Sequence, residues 1–155
     1  MKYPKHFVAS ILLIIGIAVF TNVSAQQLGK VVFPTSGSEK AQTHFMRGLA
    51  ALHSFWFEEA LDEFRESTKI EPTFVMGYWG EAMAYNHPLW AEQDTEAARK
   101  TLTNIKDLSK VTPREQAYVE AVRSLYGEGD KLQRDKAYCA AMEKVLSERS
   151  RSDPK

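Results

Sequence analysis

An all-α fold follows from three observations. Apolar residues recur at helical spacing along most of the chain, one helix start carries a complete capping signature, and no stretch alternates long enough to make a convincing strand. The chain has 155 residues, 44% hydrophobic and 26% charged, with 20 Lys+Arg set against 20 Asp+Glu. That length holds one domain, or one domain and a targeting segment. Balanced charge gives no whole-chain pull toward nucleic acid, and the composition is not that of a disordered chain. One cysteine, Cys139, excludes an intramolecular disulfide framework and a cysteine-built zinc site.

Lys2 and Lys5 precede an apolar run, Phe7–Phe20, and small residues stand at the −1 and −3 places of a cut after Ala25. This is the grammar of a secretory signal peptide over residues 1–25. The apolar run is shorter than the ~20 residues a spanning helix needs, so no stable membrane span is expected after cleavage and the protein is periplasmic or secreted. Residues 26–38 hold Gly29, Pro34 and Gly37 and read as a linker, with a short extended piece at Val31–Phe33.

Ser38-Glu39 is a helix start, and Phe45, Leu49 and Leu52 share the face of the helix it opens. A break near His53–Trp56 precedes a second helix over Phe57–Ile70, with Phe57, Ala60, Leu61, Phe64 and Thr68 in a stripe. Pro72 separates it from a third helix over Val75–His87, which Pro88 ends. Thr95–Leu108 is a fourth, with Ala98, Leu102 and Ile105 inward. Thr112-Pro113-Arg114-Glu115 is the clearest cap: Thr112 accepts from the Glu115 amide, Glu115 reaches back, and Pro113 sits at the first helical position. That helix runs to about Tyr126, where Gly127 and Gly129 stop it, and a sixth fits Leu132–Glu148.

The chain also repeats itself. Phe45 and Trp79, Gly48 and Ala82, and His53 and His87 are each separated by 34 residues, the period of paired tetratricopeptide helices. Numbered from Ala41, Gly48 takes the small eighth position, Ala60 the twentieth, Phe64 the twenty-fourth and Pro72 the thirty-second. On these residues the chain resembles the tetratricopeptide repeat family. Small residues at eight and twenty let the two helices of a repeat approach, and the large one at twenty-four fills the gap between them. The second repeat keeps Tyr78, Ala82 and Tyr85 and then departs, its second helix matching only after an insertion around Pro88–Asp94. The third is looser. The stretches Leu52–Ala60 and Trp79–Trp90 are similar to a subgroup of exported bacterial repeat proteins.

The resemblance implies a short right-handed α-solenoid over residues 39–154, with repeats at about 41–74, 75–112 and 113–154. The polar end of the sixth helix reads either as a cap for the stack or as the edge of a longer array. The second is favoured because three repeats are about the stable minimum.

The resemblance also implies a concave groove lined by the first helix of each repeat. Phe45, Leu49, His53, Trp79, Met83, Asn86 and His87 are the candidate partner-binding residues, joined by Gln42, Leu52 and Met76. An aromatic and Met-rich surface with a polar end suits an extended or helical peptide. The same apolar stripe reads equally as inter-repeat core.

His53 and His87 share a repeat position, with His44 one helix face away. As caps of helix C-termini they need no ligand, and as metal ligands they lack a converging third. No glycine-rich phosphate loop, G-x-S-x-G or H-E-x-x-H occurs in the chain, and Cys139 is expected to be buried and inert. The expectation is an exported module that binds a protein or peptide partner, with no catalytic residue, no cofactor and no nucleic acid. The alternatives are a metal- or small-ligand-binding protein using His53 and His87, and an accessory part of a longer repeat protein.

Overall fold

Ser38 takes extended backbone and its hydroxyl accepts from the Ala41 amide, opening helix α1 (Glu39–His53) with Glu39 in the first turn, where the positive end of the helix dipole favours a carboxylate. The computed structural model describes residues 31–152, so the signal-peptide reading of residues 1–25 lies outside the described residues. The chain leaves α1 through Phe55, whose φ of 60° is left-handed, and re-enters helix as α2 (Phe57–Ile70). A turn at Pro72 leads to α3 (Val75–Ala84). Then follow α4 (Thr95–Leu102), α5 (Pro113–Leu125) and α6 (Lys131–Ser152).

Six α-helices, a short 3-10 helix and one hairpin of two two-residue strands make up the regular structure of the described residues, and the fold is all-α. Helices α1, α3 and α5 are consecutive neighbours. α2 packs on both α1 and α3, α4 on α3, and α6 on α5.

The tightest packing surrounds Phe64. Its ring is fully buried in a gap that exists because two facing residues have no side chain. A Cβ at Gly48 would lie 2.8 Å from the ring, and one at Gly80 would lie closer still. Phe45 meets Phe64 at 5.8 Å between centroids, so α1, α2 and α3 converge on this pair.

Two helices end earlier than their apolar spacing suggests. The third stops at Ala84, not His87. Pro88 has no amide to donate and its ring opposes the Ala84 carbonyl, while the residue before a proline is driven out of helical backbone; His87 accordingly has φ −105° and ψ 77°. Asn86–His87 (β1) instead pairs antiparallel with Glu92–Gln93 (β2), matching Asn86 to Gln93 and His87 to Glu92. A 3-10 turn at Pro88–Trp90 and left-handed Ala91, φ 54°, close the hairpin. The fourth stops at Leu102, where Thr103, Asn104 and Asp107 offer competing local hydrogen bonds. Asp107 accepts from the Ser109 amide at 2.8 Å, and Ile105 is buried from the irregular segment.

The capping box at Thr112 and Glu115 is complete. Arg99 Nε donates to the Tyr126 carbonyl at 2.7 Å and Arg134 Nε to the Leu125 carbonyl at 3.2 Å, serving the negative end of α5. The Tyr126 hydroxyl donates to the Ala82 carbonyl at 2.7 Å, tying α5 to α3. Cys139 corrects an expectation: it is exposed. α6 packs chiefly on α5, and its outer face, with Leu132 62% and Leu146 59% exposed, carries the thiol.

Candidate functional site

Residues 31–38 run as an extended strap, and their burial alternates. Val31, Phe33, Thr35 and Gly37 face the helices, while Val32, Pro34 and Ser36 face out. The segment whose composition reads as linker is therefore packed across the core.

Phe33 is the anchor. Its centroid lies 5.8 Å from Phe45 of α1, 6.4 Å from Trp79 of α3 in a stacked arrangement, and 5.3 Å from Tyr118 of α5, edge-on. The Arg114 guanidinium sits 4.4 Å over the ring, a favourable position for a cation. One ring thus touches all three of the consecutive helices.

The strap backbone is held by side chains. Gln42 Nε2 donates to the Phe33 carbonyl at 2.8 Å, and Gln42 Oε1 accepts the Thr35 amide at 3.2 Å. A carboxamide, with its N–H donors and its oxygen acceptor side by side, matches the carbonyl and amide of an extended chain. Arg114 donates to the Pro34 carbonyl. Glu115 Oε1 accepts the Ser36 amide at 2.8 Å and its hydroxyl at 3.0 Å. Glu71 Oε2 accepts the Ser38 amide at 2.7 Å. A cavity of about 470 Å³ opens beside the strap, between Val31–Phe33 and the side chains of Gln42 and Met46.

Glu115 joins the strap to the cap of α5, because its Oε2 accepts the Thr112 amide at 2.9 Å and hydroxyl at 2.8 Å. Burial alone raises a carboxyl pKa. The hydrogen bonds from Ser36 and Thr112 outweigh that and hold Glu115 below its ordinary value. A carboxyl depressed in the folded state contributes stability that is present above its ordinary pKa, about 4.3, and is lost as pH falls through the folded value. Wild type is expected to lose more stability than Glu115→Gln between about pH 5 and pH 3, read from urea midpoints at each pH. Equal losses would contradict this role.

The predicted partner-binding residues divide. Phe45, Leu49 and Trp79 are core, with 0%, 3% and 6% exposure. In the free chain Phe33 of the strap packs on Phe45 and Trp79. Met76 is fully buried too, while Met83 and Leu52 are partly buried against the core. Of the residues expected to face the groove, Gln42 is the one that grips the strap.

Asn86 and His87 lie on the hairpin, not on a helix, and Asn86 Oδ1 accepts from Gln93 Nε2 at 3.1 Å. His87 stacks on Phe57 with centroids 4.0 Å apart. Its Nε2 lies 3.1 Å from the Ala84 carbonyl and its Nδ1 3.7 Å from Glu92 Oε2, so it caps α3. Phe57 and His87 join Trp90 in an aromatic cluster at this end. His53 is exposed in the last turn of α1, and His44 pairs with Glu63 at 2.7 Å. Among the described residues no group of three or more His, Cys, Asp or Glu side chains is placed to hold a metal ion. No helix among them is long and apolar enough to cross a membrane.

The sequence did not show Phe33, Arg114 or Tyr118 as site residues, and of Glu115 it showed the cap but not the hold on Ser36. The one local signal is the alternation Val31-x-Phe33-x-Thr35-x-Gly37, a period of two, masked by the apolar Val32 and by Pro34 and Ser36 between. No protein-family model, no curated protein and no solved structure matches the chain.

Proposed function

We propose that this chain is a short right-handed solenoid of tetratricopeptide-like helix pairs, exported by its N-terminal segment, whose function is to bind an extended segment of a partner protein. The site is the groove lined by α1, α3 and α5, and the role is binding rather than catalysis. The observation that supports this most is that the groove holds an extended stretch of polypeptide in the manner of a peptide receptor. It offers an aromatic socket for one side chain, with Gln42, Arg114 and Glu115 holding the backbone from that residue onward, Phe33 to Ser36. Main-chain hydrogen bonds give such a site its affinity and the socket its selectivity.

The test is capture from the envelope fraction of the exporting cell by full-length protein, wild type against Gln42→Ala plus Arg114→Ala. Both side chains reach the surface, so helicity measured by circular dichroism is expected to be unchanged. A partner held by wild type and reduced about tenfold or more by the double variant, the scale of losing two charge-assisted or backbone hydrogen bonds, is the expected result. Equal capture by both proteins, found again when each also carries Phe33→Ala so that the strap's own anchor does not hold the groove, would exclude the groove.

A further inference from the structure

The groove is closed by its own chain, yet the closure is incomplete. Trp79 is 6% exposed, packed between Phe33, Phe45 and Tyr118. Among the described residues its Nε1 is the one buried side-chain polar atom without a hydrogen-bond partner. A buried indole N–H that meets no acceptor is an unserved donor on one wall of the aromatic socket.

The strap is also built to leave. Its outer face is in solvent, with Val32 78% exposed, and it makes its hydrogen bonds to side chains rather than to a strand ladder. The cavity at its edge gives a competing segment a place to begin. Segments whose backbone hydrogen bonds lie at the solvent-facing surface open at free energies below that of global unfolding, and here one ring, Phe33, carries most of the apolar contact.

We propose, building on the binding-module reading, that residues 31–37 are a built-in competitor for the groove. They occupy it until an extended partner segment displaces them, one carrying an aromatic ring for the Phe33 socket and a carbonyl or carboxamide oxygen for Trp79 Nε1. Because the strap is tethered, it acts at a high effective concentration. A ligand's apparent affinity is reduced in proportion to the fraction of molecules with an open groove.

The experiment uses full chains and a fluorescent peptide of the sequence Lys30–Ser38. Phe33→Ala removes the strap's anchor. Gly37→Ala is an independent route, since a Cβ there meets the Phe74 ring while every groove side chain stays as it is, and it carries the test where Phe33→Ala does not fold. Both variants are expected to bind the peptide at least about tenfold tighter than wild type, and a peptide with Ala in place of Phe33 is expected not to bind. Equal affinity for all three chains, or binding by none, would overturn the competitor.

The acceptor is read by placing Asn at each peptide position in turn. A gain at one position that disappears in the Gly37→Ala, Trp79→Phe chain is expected, and no gain at any position refutes that part. Peptide binding is read separately from envelope capture, so this proposal and the binding-module reading fail by different experiments.

Discussion

Phe64→Ala is expected to lower stability by about 3–5 kcal/mol, the largest effect of any single truncation considered. The ring is fully buried and fills a gap between Gly48 and Gly80, two residues that cannot extend into the space it leaves. The companion change Gly80→Ala pushes a methyl into the same ring and is expected to cost about 1–3 kcal/mol by overpacking. The two share one space, so the double variant should be clearly more stable than the sum of the singles predicts. Urea unfolding of the three proteins measures this coupling. Strict additivity would mean that Phe64 does not occupy the gap.

Phe33→Ala is expected to cost about 2–4 kcal/mol, a core-sized loss from a position that composition assigns to a linker. The ring contacts aromatic side chains on α1, α3 and α5 and lies beneath the Arg114 guanidinium. Helical content should be retained, since none of the six helices begins or ends at Phe33. Substitution in a solvated linker changes stability by no more than about 0.5 kcal/mol. A thermal melt therefore separates the two descriptions without knowledge of any ligand.

The helices were legible because their causes are local. Ser38, Thr112 with Pro113 and Glu115, and the stripe from Phe57 to Thr68 each place a cap or a buried face where the structure has one. The pairing of Gly48 with Phe64 was legible as well, since only a residue without a side chain admits a ring that close. The reach of Pro88 was underestimated: a proline disturbs the turn before it as well as its own position, and so Asn86 and His87 left the helix for a hairpin.

The site was legible only in part, and the reason is geometric. Helical spacing identifies the apolar face carrying Phe45, Leu49 and Trp79, but it does not say what covers that face. Here the cover is a segment too short and too rich in Gly, Pro and Ser to register as a strand, and its hydrogen bonds go to Gln42, Arg114 and Glu115 instead of to another strand. Those partners lie between 7 and 80 residues away in sequence, and no helical or strand period links them to the strap. Cys139 was misplaced for a related reason, because burial of a helix face requires a neighbour and the face of α6 that holds Leu132 and Leu146 is exposed.

The central claim is that the groove of α1, α3 and α5 holds an extended segment by its backbone. Amide hydrogen exchange at Thr35, Ser36 and Ser38 tests it most directly, since these N–H groups donate to Gln42, Glu115 and Glu71. All three are predicted to exchange well below the rate of unstructured chain in the free protein, and to lose that protection when a competing peptide fills the groove. Exchange at the unstructured rate in the free protein would contradict the account.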